Sequence, residues 1–358
     1  MLGMRSTPPL AMRVAGLAAM LLAGCGHAVA MQTGGADLTR SVPALRETDA
    51  VASIDDAADD PAIWRNPTDP AKSLIVATDK KAGLNVYGLD GHLRSTIAAG
   101  RVNNVDLRGN VMIAGKRSIL VAASDRNVIG DGRLALFALD GKAAKLTEVA
   151  RVPIAMAEPY GLCLYRAGGR LYAFVVGKDG LIIQLRIDTA GPTATAIPVR
   201  TMKLATQSEG CVADDRTATL YVAEEDVGIW RFGAAPDAPT TPIKLAGVDG
   251  VQLIADVEGL AIAAKGRNRG WLIASSQGDS AYAAWRLPDY RYVGRFQITA
   301  SGAIGGTSET DGIDISTANH GGDFKHGLMI AQDGDNAPKA QNFKLVRWAD
   351  ISAALQLK

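Results

Sequence analysis

The chain has 358 residues, 38 of them basic and 37 acidic, for a formal net charge of +1. No global field gathers a polyanion, so bulk charge does not indicate a nucleic-acid binder, and any charged ligand must be met by a local cluster. The 39 glycines and the short, β-branched apolar runs argue for many strands joined by turns and against a helical protein.

Residues 1–25 read as an export signal. Arg5 and Arg13 form a positive n-region, and Val14–Leu22 is an apolar run too short to span a bilayer. The run ends in Leu22-Ala23-Gly24-Cys25, which resembles the lipobox of bacterial lipoproteins, where the cysteine is lipidated and becomes the new N-terminus. The expectation is an exported cell-envelope protein that meets the membrane only through its N-terminal lipid. Ordinary cleavage near Ala28–Ala30, followed by secretion, is the alternative. Residues 26–45 are small and polar and read as a flexible tether. Residues 46–358 then form one domain, and nothing in them demands more than a monomer.

Within that domain one segment type ends an apolar strand in a polar residue at a turn. Its copies are Leu74–Lys80, Leu120–Arg126, Ala173–Lys178, Leu220–Glu225, Leu272–Gln277 and Leu328–Asp333. A second type precedes each of them: Asp60–Ile63, Asn104–Leu107, Tyr160–Cys163, Glu209–Val212, Glu258–Ala261 and Asp311–Asp314. Alternating strands close in Asp90-Gly91 and Asp140-Gly141, strong hairpin-turn pairs. The period, 44 to 56 residues, is that of a propeller blade. The fold class expected is all-β: a six-bladed β-propeller with four-stranded antiparallel blades. The stretch Glu47–Asp55 is expected to supply an outer strand that closes the ring. Trp64, Trp230, Trp271, Trp285 and Trp348 are expected to pack between blades. Cys163 and Cys211 lie in apolar runs and read as buried thiols, with a disulfide left open.

Equivalent blade positions converge on one end of a propeller channel. Taken in blade order, the first positions are Asp60, Asn104, Tyr160, Glu209, Glu258 and Asp311, and the strand ends are Lys80, Arg126, Lys178, Glu225, Gln277 and Asp333. Cations thus fall in blades one to three and acids in blades four to six. A lone Lys or Glu at a blade mouth is commonly just a solvated residue; sorting by blade is what argues for a site. The acidic arc suits Ca²⁺, which takes six to eight oxygen ligands. Crowded carboxylates resist ionising unless neutralised, so several calcium ions are expected. The four histidines lie away from these positions, which argues against zinc or iron. The basic arc suits phosphate, with Arg126 as a bidentate fork and Lys80 and Lys178 as point charges.

The stretches Asp56–Trp64, Asp79–Leu84, Asn103–Asp106, Ser124–Arg126, Glu158–Gly161, Glu209-Gly210, Ala213–Asp215, Leu220–Asp226, Gly228–Phe232, Asp256–Leu260, Gln277–Asp279 and Thr310–Asp314 together resemble the β-propeller phytases, also called alkaline phytases. The resemblance runs from about residue 47 to 348 in family order. It implies a phosphoric monoester hydrolase that removes phosphates from myo-inositol hexakisphosphate, free or as its calcium complex, by direct attack of calcium-activated water. It implies that Lys80, Arg126, Tyr160 and Lys178 meet phosphate, with Lys81 beside them. It implies calcium at Asp59, Glu209, Glu225, Asp256, Glu258 and Gln277. A stabilising ion is implied near Asp60 and Asp311, with Asp314 and Asp56 also among the acidic positions, and Glu47 matches a further acidic one. Glu209 or Glu225 is expected to accept a proton from water, Asp59 to help hold the catalytic ions, and Tyr160 to orient phosphate. Glu309 stands where the family has Asp. A calcium-dependent propeller lactonase or esterase would share the acidic arc but has no use for the facing cations. A non-catalytic binding propeller would be expected to lose one of the two arcs.

Overall fold

The computed structural model describes residues 39–358. The export signal, Cys25 and most of the expected tether lie outside the described residues. Six antiparallel sheets follow one another along the chain. Their innermost strands are Ala58–Trp64, Val102–Ile113, Pro159–Ala167, Ser208–Asp214, Val257–Lys265 and Ile313–Ser316. Each packs against the next, and Ile313–Ser316 packs against Ala58–Trp64, so the six close into a ring. The expected six-bladed propeller of four-stranded blades is present.

The pattern of burial follows from the strand period. In the second strand of blade two, Leu120 and Ala122 face the cluster shared with blade three, while Val121 and Ala123 face the cluster shared with blade one. Six such clusters fill the six gaps between blades. A middle strand is therefore apolar on both sides: all of Leu74–Asp79 is buried, while the outer Leu93–Ala98 alternates toward solvent. All five tryptophans sit at these gaps. Trp271 stacks at a tilt on Trp348, which opens the one α-helix among the described residues, Trp348–Ala354. No helix among the described residues is long and apolar enough to cross a membrane.

The ring is closed by the N-terminal stretch in a way only partly expected. Arg46–Glu47 pairs antiparallel with Asn342–Arg347 as the outer strand of blade six, and Thr48 and Val51 extend the contact through bonds to Phe343 O and Gln341 O. The end of the stretch expected to be a tether is instead held on the propeller. Arg40–Pro43 forms a fifth strand on blade five, parallel to Tyr292–Thr299, because Val42 buries its side chain against the blade five to six cluster. The chain thus binds two neighbouring blades before blade one begins.

Cys163 and Cys211 are not free thiols. They form a disulfide between the innermost strands of blades three and four, their Cα atoms 5.7 Å apart. Each lies at the inner edge of its blade, where adjacent strands come closest. A cross-link over 48 residues stabilises the fold by about 4 kcal/mol on a chain-entropy account.

Candidate active site

Five innermost strands carry a bulge at their N-terminal end, between Ala58 and Pro61, Val102 and Val105, Pro159 and Gly161, Ser208 and Cys211, and Val257 and Leu260. A bulge takes a residue out of the ladder and re-aims its side chain. The residues so placed are Asp59, Asn103, Tyr160, Glu209 and Glu258, with Asp311 at the same height in blade six. Close packing at the axis fixes this equivalence. A Cβ on Gly210 would fall 2.1 Å from the Glu258 carbonyl oxygen, and one on Gly312 would fall 2.6 Å from that of Asp59. Gly161 and Gly259 abut Glu209 and Asp311 in the same way. Only glycine lets the blades approach so closely.

This register corrects the sequence reading in two blades. Asp60 and Asn104 are the counterparts of these glycines, not of Glu209. Asp60 Oδ2 accepts from Val105 N at 2.9 Å, Asp314 Oδ2 from Ile63 N at 2.8 Å, and Asp106 Oδ2 from Leu164 N at 2.8 Å. An innermost strand has no sheet partner on its channel side, so a carboxylate from the preceding blade satisfies its N–H. Asp60 and Asp314 therefore line a channel cavity of about 330 Å³ with Asp106 and Arg108, away from the mouth. Burial raises both, Asp314 to about 7.

The second set of mouth residues is fixed by a repeated backbone bond. The N–H groups of Lys80, Arg126, Lys178, Glu225 and Gln277 donate to the carbonyls of Ala57, Arg101, Glu158, Gln207 and Asp256. In blade six the same bond runs from Gly334 to Ser308, so Asp333 is one position too early. Its carboxylate is buried and accepts from Ser308 N. Lys81 also misses the mouth: it is exposed, donates to Ile54 O at 2.6 Å and pairs loosely with Asp55.

Most of what remains converges on one cavity of about 740 Å³. Its walls include Asp56, Lys80, Tyr160, Glu209, Glu225, Asp256, Glu258, Gln277 and Asp311. Oxygens of Glu209, Glu225 and Glu258 lie within 4.8 Å of one another. Lys80 Nζ is 2.7 Å from Asp56, 3.3 Å from Asp59 and 3.7 Å from Asp311. The Tyr160 ring carries two cations, Arg126 at 5.0 Å and Lys178 at 5.1 Å from its centroid. Gln277 Nε2 donates to Asp311 Oδ1 at 2.5 Å. Gln207, Ser308 and Glu309 complete the rim. Asn103 was missed: fully buried, it donates to Glu209 Oε1 at 2.7 Å. Its Asn-Asn context was visible in the sequence, but its height in the ring was not. A larger cleft of about 1040 Å³ near Trp64 has most of its charges already paired, Arg46 with Asp323, Arg94 with Asp90 and Lys72 with Asp69.

Crowding sets the electrostatics. Burial, then the charges of Asp59 and Asp311, raises Glu209 well above the carboxylate range, and burial, then Glu209, does so for Glu258. Burial pushes Glu225 up to about 7 and, with Asp59 adding to it, Asp311 up to about 8. Burial opposes the Lys80 ammonium, but Asp59, Asp311 and Asp56 outweigh it and hold its pKa above normal. The charge of Glu209, then burial, keeps the Tyr160 hydroxyl protonated. Asp59 Oδ1, Glu225 Oε1 and Asn103 Oδ1 are buried without a hydrogen-bond partner. Buried unpartnered oxygens in an all-oxygen set fit a hard cation.

Comparisons with known proteins agree with this geometry. Residues 10–358 match the family model described as Phytase. The chain is 42% identical over 326 residues to the 3-phytase of Bacillus subtilis (strain 168), covering 88% of this chain and 85% of that protein. An α-L-arabinanase from Penicillium chrysogenum, solved with arabinobiose, superposes with a TM-score of 0.54 at 10% identity over 87% of this chain and 98% of that one, a likeness of fold alone. The propeller with its mouth of carboxylates and cations is thus a phosphoric monoester hydrolase. The chain belongs to the phytase family.

Proposed function

We propose that this phytase removes phosphates from myo-inositol hexakisphosphate with several bound calcium ions, as an exported protein of the cell envelope. The observation that carries the calcium reading is the mouth itself, where Glu209, Glu225 and Glu258 converge with unpartnered buried oxygens beside them. Calcium among these carboxylates would supply a Lewis acid that polarises phosphoryl oxygen and acidifies water.

The chain's own groups do the rest. Arg126 presents a planar fork to a phosphate, and Lys178 and Lys80 add charge from the same side. Two cations over its ring hold Tyr160 in place, and its protonated hydroxyl is a donor to a phosphoryl oxygen. Glu225, raised to about 7 by burial, is suited to take a proton from water near neutral pH. Glu209, held by Asn103, is the second candidate for that role. A neighbouring phosphate of the same substrate is left to the outer cations of the basic arc.

Phosphate release from inositol hexakisphosphate by the purified protein is expected in excess calcium and absent in excess chelator. Lys178→Ala should raise KM, and Glu209→Gln should remove turnover. Turnover by the folded protein that is indifferent to chelator would overturn the calcium reading. Lipid attachment is supported by Leu22–Cys25 behind a basic and apolar leader. Labelled palmitate should enter the parent and not Cys25→Ser; equal labelling would remove the anchor from the proposal.

A further inference from the structure

Asp256 and Gln277 sit side by side on the acidic wall, and both are carried by irregular backbone. Asp256 ends the connection from blade four to blade five, and Gln277 opens a short turn after the second strand of blade five. The two segments touch directly. Gln277 N donates to Asp256 O at 2.9 Å, and a Cβ on Gly278 would fall 1.9 Å from Ala255 O. Neither segment has a sheet partner to hold it there.

A buried arginine from elsewhere in the blade holds both. Arg295 lies on the outer strand Tyr292–Thr299, and its side chain is 5% exposed. Its Nη1 donates to Val251 O at 2.6 Å, in the Asp256 segment. Its Nη2 donates to Asp279 Oδ2, in the Gln277 turn. The other oxygen of Asp279 accepts from Ser276 Oγ at 2.9 Å, and that hydroxyl accepts from Ile254 N at 2.9 Å. Gln297, two residues along the same strand, donates to Asp279 O at 2.9 Å. One guanidinium thus spans the two loops from behind and adds to the bonds that Gln277, Ser276 and Gln297 make between and beside them.

We propose that Arg295 is a positioning residue of the active site, fixing Asp256 and Gln277 at the spacing that calcium requires. This rests on the calcium reading above. A planar fork can reach two acceptors on different segments at once, whereas an ammonium on a single stem cannot hold the same pair in the same geometry. Groups that orient metal ligands from behind typically change metal affinity by about 10- to 100-fold when removed.

The test is a calcium titration by calorimetry on the parent, Arg295→Gln, Arg295→Lys and Asp279→Asn, with thermal unfolding in chelator alongside and kcat and KM at saturating calcium. Calcium binding should weaken about 10-fold or more in Arg295→Gln and in Asp279→Asn. Activity should then need correspondingly more calcium, with kcat recovering toward the parent value once calcium saturates. Arg295→Lys keeps the charge, remains available if Arg295→Gln fails to fold, and should also weaken binding. Folded variants that bind calcium as the parent does, whatever their unfolding temperature, would overturn the proposal and leave Arg295 a structural residue. A parent that binds no calcium would instead overturn the calcium reading, and this inference with it.

Discussion

In excess chelator the protein is expected to lose stability steadily as the pH rises from about 5 to about 8.5, and added calcium should restore more stability the higher the pH. The cause is the mouth. In an unfolded chain the carboxyls of Glu225 and Asp311 ionise near pH 4. In the fold, burial and neighbouring charge push Glu225 up to about 7 and Asp311 up to about 8, and raise Asp59, Glu209 and Glu258 as well. Between those limits the folded state holds more protons than the unfolded state, so the slope of stability against pH is negative. For Glu225 and Asp311 the stabilising contribution is whole below about pH 4 and is lost as the pH rises through about 7 and about 8. Each unit of raised pKa is worth about 1.4 kcal/mol, so the loss across this window is expected to be several kcal/mol. Cations bind only the ionised, folded mouth. At low pH calcium must displace protons from Glu225 and Asp311, while above their raised pKa values it meets both as carboxylates. Thermal unfolding at a series of pH values, with chelator and with calcium, measures both trends. A calcium-induced gain that is the same at pH 5.5 and pH 8.5 would show that calcium does not bind at these carboxylates.

The blades were legible because a middle strand must be apolar on both faces and Asp-Gly favours a hairpin turn, and both signals survive in single segments such as Leu134–Gly141. Equivalent height around the axis was legible only where a glycine marked it. Glu209-Gly210, Glu258-Gly259 and Asp311-Gly312 align themselves, since each glycine is forced by the next blade's backbone. In blades one and two Asp60 and Asn104 replace that glycine, so counting residues landed one position late and passed over Asn103. In blade six the mouth position is Gly334, which offers no side chain to notice. The Cys163–Cys211 bond was hidden for a different reason: it depends on two strands of separate blades meeting at the axis, and no local pattern encodes that meeting. Arg295 was invisible because its partners are one backbone carbonyl and one aspartate on other segments. The sorted arcs themselves were readable, because charge type is kept by blade even when the register slips by one.

Replacing Lys344 with Met is expected to cost a large part of the protein's stability. The Lys344 side chain has no exposure, and its Nζ lies among four oxygens: Glu47 Oε2 at 2.8 Å, Asp333 Oδ2 at 3.0 Å, Asn342 Oδ1 at 3.0 Å and Asn336 Oδ1 at 3.3 Å. Glu47 belongs to the two-residue strand that closes the ring, so this ammonium ties the strand Arg46–Glu47 to the last blade. Burial works against the Glu47 carboxylate, but the bond and charge of Lys344 hold its pKa below normal; for Asp333 burial wins and the pKa is raised. Removing one partner of a buried pair typically costs about 3–5 kcal/mol, because the remaining charge is stranded. That is a large share of the roughly 5–15 kcal/mol that holds a domain folded. Met fills the stem's volume without the charge, so it isolates the electrostatic part, whereas Ala adds a cavity. The variant should unfold at lower denaturant, and amide exchange at Thr48 and Val51, which bond to Phe343 O and Gln341 O, should quicken before the rest of blade six opens. If Asp333→Asn in the Lys344→Met background recovers part of the loss, the stranded carboxylate is its source. If exchange at Thr48 and Val51 stays slow in Lys344→Met while global stability falls, the lysine supports blade six alone and the ring is closed by the apolar contacts of Val51, Tyr87 and Phe343.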